Sequence, residues 1–356
     1  MTLPAFYTDK TVLITGHTGF KGSWLATWLK MLGARVIGFS LPPEEGRPNL
    51  FEAANVEKGM TSITGDIRDL PSFINTFNAH SPEIVFHMAA QSLVRRSYTE
   101  PVETYATNVM GTVNLLEAVR NTPSVRSVVV ITSDKCYENR EWVWGYRETE
   151  SMGGHDPYSS SKGCAELVTQ VYRKSFFTNK GQVGIASARA GNVIGGGDWA
   201  EDRLIPDIAR ALSSNKPVVL RRPNAIRPWQ HVLEPLRGYL MLGEHLWKQS
   251  DDFSEAWNFG PRDEETITVR EMTERIIQHW GSGELVIGGA DDLHEAHYLK
   301  LDCSKARAKL GWRPLLTIDE ALEMTVAWYR SYLEDPGSAG STTASQINGY
   351  MERLSR

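Results

Sequence analysis

The first 135 residues alternate short apolar runs, rich in β-branched side chains, with longer segments that have the periodicity of amphipathic helices. Apolar runs such as VVVI, at residues 128–131, are almost uninterrupted, which is typical of parallel strands covered on both faces. Such alternation predicts βαβ units and an α/β fold with a doubly wound parallel sheet. Strands are predicted at residues 11–15, 35–40, 83–88 and 126–132, and a helix at residues 101–120.

The pattern changes in the second half of the chain. Residues 159–177 predict a long helix and residues 183–190 a further buried strand, after which loops rich in Gly, Pro and Trp predominate. We expect a first domain of residues 1–190, to which the chain returns at residues 236–261. A smaller, mixed α/β lobe is expected from residues 191–235 and 262–335. The tail, residues 336–356, starts with small polar residues and is expected to be mobile.

Bulk properties limit the class of protein. At 356 residues the chain exceeds the length at which one core usually splits, so two lobes are expected. A net charge of -5 gives no basic surface for nucleic acid. The three cysteines, Cys136, Cys164 and Cys303, lack the spacing of a zinc or redox motif, and we interpret them as reduced thiols of a cytoplasmic protein without a metal site. No signal peptide or membrane span is expected from the apolar pattern.

Gly16, Gly19 and Gly22 directly follow the apolar run TVLIT and lead into the helical pattern WLATWLKML. Glycines at a strand-to-helix turn let backbone amides approach a pyrophosphate, and the helix N-terminus adds partial positive charge. Three glycines alone also fit a structural turn, but the strand before them and the helix after them favour a Rossmann dinucleotide site. Three side chains between the glycines are assigned to this site: His17, Phe20 and Lys21. The alternative for Lys21 is an exposed cation at the start of the helix.

The end of the second predicted strand bears on the choice between NAD and NADP. An acidic residue there would bind the adenosine ribose, but this chain has Ser40, and the nearest cation, Arg47, lies beyond two prolines. A hydroxyl can also bond the ribose, so we expect NAD. Five residues after the third and fourth strand regions are assigned to the cofactor, although each also fits a helix cap or tight turn: Asp66 and Ile67 at the adenine, then Ala89, Ala90 and Gln91.

Tyr158 and Lys162 have the i, i+4 spacing that places two side chains on one face of a helix. A nearby ammonium and the charge of an oxidised nicotinamide both favour tyrosinate, so we expect the pKa of Tyr158 to fall from its ordinary value of about 10. Ser133 ends a predicted buried strand and can hydrogen-bond the same substrate hydroxyl. The three residues together predict a hydride-transfer site with Tyr158 as the base.

These motifs resemble, over about residues 1–335, the extended short-chain dehydrogenase/reductase family of nucleotide-sugar epimerases and dehydratases. The resemblance is carried by TGHTGFKG, HMAAQSLVRRSYTEP, TNVMGTVNLLEA, ITSDKCY, YSSSK, RAGNVIGGGDW and RPWQHV, which occur in the family's order. It implies a Rossmann domain that binds NAD, with Asn108 near the cofactor. Epimerases and dehydratases share the Ser133, Tyr158 and Lys162 positions, so those residues do not separate the two activities.

Dehydratases of this family add acid and base groups directly after the serine or threonine, where this chain has Asp134 and Lys135. The resemblance implies oxidation at C4 of a nucleotide-linked glucose, loss of the C5 proton and the C6 hydroxyl, and return of hydride to C6. Asp134 would protonate the departing oxygen. The thymidine-linked dehydratases carry a glutamate where this chain has Lys135, which leaves the C5 base open. A 4-epimerase and a non-catalytic NAD-sensing protein are the alternatives.

Several segments, among them TSDKCYEN and GGGDWAEDRLIPD, are most similar to the CDP-glucose 4,6-dehydratase branch of the family. The similarity implies CDP-D-glucose as substrate and a precursor of dideoxy sugars in bacterial surface polysaccharide as product. Another nucleotide-glucose remains an alternative substrate. By the same resemblance, six residues are assigned to substrate binding: Ser92, Asn192, Arg203, Leu204, Arg227 and Tyr298.

Members of this family commonly dimerise by packing two long helices from each subunit into a four-helix bundle. Residues 101–120 and 159–177 are the corresponding helices here. The resemblance therefore implies a homodimer, while further pairing into tetramers stays open.

Overall fold

A seven-stranded sheet forms the centre of the computed structural model, which describes residues 3–178, 183–288 and 299–354. Its strand order is β11-β6-β5-β4-β1-β2-β3, and all neighbouring strands run parallel. The order reverses between β1 and β4, as in a doubly wound Rossmann sheet, so the predicted fold class is confirmed. The strands are β1 (Thr11–Thr15), β2 (Arg35–Ser40), β3 (Thr61–Thr64), β4 (Ile84–His87), β5 (Ser127–Ile131), β6 (Gly184–Ala190), β7 (Val193–Ile194), β8 (Val218–Leu220), β9 (Ile226–Arg227), β10 (Gln230–His231), β11 (Ala256–Phe259), β12 (Ile267–Thr268) and β13 (Leu285–Ile287).

The helices cover both faces of this sheet, where alternate side chains of each strand enter two apolar cores. Val12 and Ile14 of β1 face one core, and Leu13 faces the other. Within the described residues, no helix is long and apolar enough to cross a membrane. The helices are α1 (Leu3–Tyr7), α2 (Phe20–Met31), α3 (Leu50–Ala53), α4 (Leu70–His80), α5 (Val94–Thr99), α6 (Pro101–Tyr105), α7 (Gly111–Arg120), α8 (Pro157–Phe176), α9 (Leu204–Ser213), α10 (Leu233–Lys248), α11 (Ser250–Phe253), α12 (Val269–Trp280), α13 (Ile318–Glu334) and α14 (Ala339–Arg353).

The strands predicted at residues 11–15 and 35–40 have the predicted bounds, and the next two begin and end one residue inside them. The helix predicted at residues 101–120 is interrupted by a π-helical turn, Ala106–Met110, between α6 and α7. This turn buries Asn108, whose amide donates to the carbonyl of Gln91 at 3.0 Å. π-turns inside helices often occur at functional sites, and this one lies behind the cleft described below.

The residues expected to form the second lobe include short strand pairs near α9 and α12: β7 with β10, β8 with β13, and β9 with β12. Between its two parts, α10 packs on the main sheet and β11 pairs with β6 at its edge. The exact division of the chain between the two lobes stays a prediction.

The expectation of a mobile tail is wrong, because the tail forms α14 and packs on the rest of the molecule. Thr343 accepts a hydrogen bond from the indole of Trp328 at 2.9 Å. Tyr350 donates to the buried carboxylate of Glu234 at 2.7 Å. Small residues permit this close packing: a Cβ added at Gly340 would lie 3.1 Å from the carbonyl oxygen of Ala54. The polar composition at the start of the tail therefore reflects tight helix packing and not mobility.

Candidate active site

A cleft of about 1090 Å³ opens at the carboxyl ends of β1, β4, β5 and β6. This edge includes the point between β1 and β4 at which the strand order reverses. Ligands of open α/β sheets bind in this position, because the loops that leave neighbouring strands diverge there. Most of the site residues predicted from the sequence line this cleft.

The glycine-rich turn forms one wall of the cleft and leads into α2. Gly16 has a positive φ of 74°, and a Cβ there would lie 2.8 Å from the backbone of Ala89. A Cβ at Gly22 would lie 2.1 Å from the carbonyl oxygen of Gly16, so the turn requires glycine at both positions. A Cβ at Gly19 would lie 3.4 Å from the same oxygen, an ordinary contact, and the Gly19 amide donates to that oxygen at 3.2 Å, which closes the turn. The turn and the N-terminus of α2 therefore fit a pyrophosphate.

Other predicted cofactor residues also line the cleft: Ser40, Asp66, Ile67, Ala89 and Ala90. The Oγ of Ser40 lies 2.8 Å from the Oγ1 of Thr18. Hydrogen bonds from Arg68 hold the pKa of the Asp66 carboxyl below its ordinary value. Arg47 lies in the same region but forms ion pairs with Glu44, at 2.9 Å, and with Glu201. The carboxylates around Arg47 oppose binding of a second phosphate on the ribose.

Three predicted cofactor residues do not line the cleft. The His17 ring is fully buried, its Nε2 lies 2.8 Å from Ser62 Oγ, and burial lowers its pKa to about 4. The Gln91 amide donates to Thr104 at 2.9 Å, and the Asn108 amide donates to Ser161 Oγ at 2.8 Å. We therefore correct their assignment: these side chains support the wall of the cleft from behind. The sequence places them near the cofactor but does not show which way each side chain points.

Tyr158 and Lys162 lie on one face of α8, and both are buried at the cleft. Burial lowers the pKa of Lys162 to about 8, and its ammonium group donates to the carbonyl of Ile131 at 3.4 Å. Burial raises the pKa of Tyr158 to about 12, although a hydrogen bond with Ser133 offsets part of the increase. The expected lowering is therefore wrong for the protein alone, because desolvation of the phenolate outweighs its favourable neighbours.

Ser133 and Asp134 follow β5 and face Tyr158 across the cleft. Ser133 donates a hydrogen bond to Oδ1 of Asp134 at 2.9 Å. Burial raises the pKa of the Asp134 carboxyl, while Lys135, Ser133 and Arg227 oppose the increase. Gly191 leaves room for this carboxyl, because a Cβ there would lie 3.0 Å from Oδ2. A buried carboxyl with a raised pKa has the properties of a general acid.

Lys135 is half-buried at the cleft, and its backbone amide donates to Ser133 Oγ at 3.2 Å. Its side chain therefore lies beside the acid but nearer to solvent. Lys21 also reaches this end of the cleft and donates to the hydroxyl of Tyr239 at 3.1 Å. Burial lowers the pKa of Lys21 to about 7, with further contributions from the positive charges of Lys162 and Arg203. The charge of Lys21 thus interacts with those of Lys162 and Asp134 at this end of the cleft.

The predicted substrate residues Ser92, Asn192, Arg203, Leu204 and Arg227 line the remaining part of the cleft. Arg203 forms an ion pair with the buried Asp198 at 2.9 Å and donates to Ser92 Oγ at 3.0 Å. Its guanidinium group is therefore held in a fixed orientation. Tyr298 lies outside the described residues.

Sequence reasoning missed two residues of the site. Asp198 orients Arg203, and its position after three glycines in GGGDW is a signal that could have identified it. Tyr239, on α10, contacts Lys21, but nothing in the helical pattern around it distinguishes it from a core tyrosine. Within residues 3–178, 183–288 and 299–354, no cluster of three or more His, Cys, Asp or Glu side chains could hold a metal ion.

Comparison with known proteins places the chain among nucleotide-sugar enzymes. Residues 13–325 match the family model for GDP-mannose 4,6 dehydratase. A CDP-glucose 4,6-dehydratase from Salmonella typhimurium is 52% identical over 356 residues, which cover 99% of this chain and 99% of that protein. Two solved UDP-glucose 4-epimerases share the fold. The Thermotoga maritima enzyme, with UDP-glucose, has a TM-score of 0.78 at 25% identity over 90% of this chain and 99% of that chain. The Thermus thermophilus enzyme, in complex with NAD, has a TM-score of 0.76 at 26% identity over 90% and 98%.

Proposed function

The chain belongs to the GDP-mannose 4,6 dehydratase family, and on that basis we propose that it is an NAD-dependent CDP-D-glucose 4,6-dehydratase. The reaction would convert CDP-D-glucose into CDP-4-dehydro-6-deoxy-D-glucose and water. One observation carries the choice of a dehydratase over an epimerase: the buried Asp134, with its raised pKa, lies directly beside Ser133. Epimerisation at C4 needs no acid for a departing hydroxyl.

The glycine turn and the Ser40 region support NAD as the cofactor, with Gly16, Gly19, Phe20, Lys21 and Gly22 around the pyrophosphate and nicotinamide. When bound, NAD supplies a reversible acceptor for the hydride that leaves C4 of the glucose ring and later returns at C6. The ion pairs of Arg47 with Glu44 and Glu201 favour NAD over NADP.

Tyr158 would take the proton of the C4 hydroxyl as C4 becomes a ketone, and Ser133 would hydrogen-bond the same oxygen. The raised pKa of Tyr158 in the protein alone means that positive charge must favour the tyrosinate during reaction. Two cations of the cleft would supply that charge: Lys162, on the same face of α8, and Arg203, whose charge lowers the pKa of Tyr158. Lys162 therefore supports proton removal by electrostatic stabilisation of Tyr158.

The C4 ketone makes the C5 proton acidic, and elimination then removes that proton and the C6 hydroxyl. Asp134 would donate its proton to the C6 oxygen, which leaves as water. We assign removal of the C5 proton to Lys135, which lies next to Asp134 on the cleft. A lysine performs this role in its neutral form and gains the proton that C5 loses.

The nucleotide diphosphate would bind on the second lobe. Arg203 is oriented by Asp198 and Ser92, and Arg227 lines the same part of the cleft with Asn192 and Leu204. A guanidinium held in one orientation suits a diphosphate, because its planar donors match two phosphate oxygens. The assignment of cytidine as the base rests on the similarity to the Salmonella enzyme.

The test is incubation of the purified protein and NAD with CDP-glucose, and in parallel with UDP-glucose and dTDP-glucose. We expect CDP-glucose to lose one water and to give a 4-keto product that absorbs ultraviolet light in alkali. Formation of CDP-galactose would identify an epimerase instead. Preferred turnover of another nucleotide-glucose would overturn the assignment of cytidine, and no turnover of any of them would favour a protein that only senses NAD.

A further inference from the structure

Residues 132–137, here called the catalytic segment, connect β5 to the following loop and carry the acid and base of the proposed reaction. Both ends of this segment are buried, at Thr132 and Tyr137. Each end forms hydrogen bonds with charged side chains that take no part in the proposed chemistry.

The first end is held by Glu166 of α8. Thr132 Oγ1 donates to Oε1 of Glu166 at 2.5 Å. The other oxygen, Oε2, accepts from Ser187 Oγ at 2.6 Å and forms an ion pair with Arg189 at 2.8 Å. Burial alone would raise the pKa of Glu166, but Arg189 and the two hydroxyl donors hold it below its ordinary value. The carboxylate is therefore charged and fully partnered.

The second end is held by Arg189 of β6. Its Nη1 donates to the hydroxyl of Tyr137 at 2.6 Å and to the carbonyl of Glu148 at 3.2 Å. The Tyr137 hydroxyl in turn donates to Oδ1 of Asn258, on β11, at 2.8 Å. This end is thus tied to the two strands at the edge of the sheet.

We infer that the buried ion pair of Glu166 and Arg189 is a positioning device that clamps both ends of the catalytic segment. The inference rests on the proposed function only for the catalytic role of residues 132–137. The contacts of Glu166 and Arg189 with the segment do not depend on that function. Glu166 also follows Tyr158 and Lys162 at intervals of four residues on α8, so all three lie on one helical face. One carboxylate therefore fixes the distance between the helix that carries the tyrosine and the segment that carries the acid.

A buried ion pair by itself is weak evidence of a gain in stability, because desolvation of two charges offsets their attraction. The ion pair can still raise the reaction rate by holding the reacting groups in position, since small displacements of these groups lower the rate strongly. The acid and the tyrosine belong to different elements, and the clamp links these elements through Thr132, in addition to the hydrogen bond between Ser133 and Tyr158. Glu166 and Arg189 are accordingly positioning residues.

The test compares variants that each remove one hydroxyl from this network and leave both charges in place. Thr132→Val removes the hydrogen bond to Glu166 at the first end of the segment. Tyr137→Phe removes the hydrogen bond from Arg189 at the second end, while Arg189 still donates to the carbonyl of Glu148. Ser187→Ala is the matched control, because it removes a hydrogen bond to the same carboxylate without touching the segment. Thr132→Ser keeps the hydroxyl and should restore the wild-type behaviour.

We expect kcat for CDP-glucose to fall at least about tenfold in Thr132→Val and Tyr137→Phe, with KM changed by less than about twofold, because orientation and not binding is lost. Ser187→Ala and Thr132→Ser should stay within about twofold of wild-type kcat. An equal loss of kcat in Thr132→Val and Ser187→Ala, or an unchanged kcat in Thr132→Val, would overturn the inference.

Hydrogen exchange of the full chain gives a readout that does not depend on turnover. The amides of Lys135, Cys136 and Tyr137 bond within the segment, to Ser133 and Asp134. Their exchange should be faster in Thr132→Val and Tyr137→Phe than in wild type or Ser187→Ala. If the wild-type protein does not convert CDP-glucose, the proposed function is wrong, but the exchange rates of these amides still test the positioning role of Glu166 and Arg189. If the exchange rates are unchanged in both variants, the positioning role is wrong and the proposed function is not affected.

Discussion

Lys135 and Asp134 are neighbours in the sequence but differ in environment: the lysine is half-buried at the cleft, whereas the carboxyl is buried. Burial raises the pKa of Asp134, and the positive charge of Lys135 opposes that shift. Burial therefore favours the protonated form of Asp134, and the charge of protonated Lys135 limits that effect. This division of roles suits an elimination in which one proton is given and another is taken.

Replacing Lys135 with methionine tests its role as the C5 base. We expect exchange of the C5 hydrogen with solvent deuterium to slow by about a hundredfold or more, because a positioned base is lost. Mass spectrometry of the sugar nucleotide measures this exchange. Undiminished exchange in Lys135→Met would remove the lysine from the base role.

The pH dependence of elimination tests Asp134 as the acid. Only the protonated carboxyl can donate, so the elimination rate should fall as pH rises through the raised pKa of Asp134. In Arg227→Met the same decline should lie at higher pH, because a positive charge that opposes the rise in the pKa of Asp134 is absent. Single-turnover rates across pH measure both profiles. A decline that moves to lower pH in the variant would contradict the assignment.

The residue scale also shows where sequence reasoning stops. The glycine turn was predictable because strand, turn and helix follow each other within a few residues. The direction of the His17 side chain was not, because its ring occupies space left by Gly38, where a Cβ would lie 2.3 Å from the ring. The raised pKa of Tyr158 in the protein alone was not predictable, because a spacing shows neighbouring charges but not burial.

At the scale of elements, α14 shows how a helix that begins with small polar residues becomes part of the core. Its buried residues lie one turn apart along one face: Ala339, Thr343, Ile347 and Tyr350. That stripe is present in the sequence, but the composition of the preceding residues suggested mobility instead. Glu234 links this helix to the rest of the molecule, because it also accepts from the backbone amides of Leu315 and Leu316.

We predict that Tyr350→Phe lowers the free energy of unfolding by about 1–2 kcal/mol, because a buried carboxylate loses one donor. Thermal or denaturant unfolding of the full chain measures the change. Ser341→Ala is the control on the same helix, since its side chain is exposed, and it should change stability by less than about 0.5 kcal/mol. Equal stabilities of the two variants would show that α14 is not anchored through Glu234.

At the scale of the whole molecule, the α/β class was predictable because four strands of the main sheet give uninterrupted apolar runs or clear alternation. The second lobe was less so: β7, β9, β10 and β12 have two residues each, too few to show a period. The outer faces of α6, of the π-helical turn before α7 and of α8 carry a further signal, because several large apolar side chains there are exposed: Val102, Met110, Leu167, Val171 and Phe176. We propose that these helices form the homodimer interface.

Val171→Glu should convert the dimer to a monomer, because a charge at the centre of an apolar interface is costly to desolvate. Sedimentation of wild type should give about twice the chain mass of 39.9 kDa, and the variant should give the chain mass. Leu333→Glu is the control, since Leu333 is similarly exposed on α13, outside these helices, and should remain dimeric. A wild-type monomer would exclude the proposed interface.

A single turnover of CDP-glucose by the NAD-loaded Asp134→Asn variant, quenched and analysed by mass spectrometry, tests whether Asp134 is the acid of a 4,6-dehydratase. An amide at this position keeps the size of the side chain but cannot donate the proton that the C6 oxygen needs. We expect the sugar to be oxidised at C4 while the C6 oxygen is retained, with loss of water slowed by at least about a hundredfold relative to wild type. Loss of water at the wild-type rate would contradict the assignment of Asp134 as the acid of a 4,6-dehydratase.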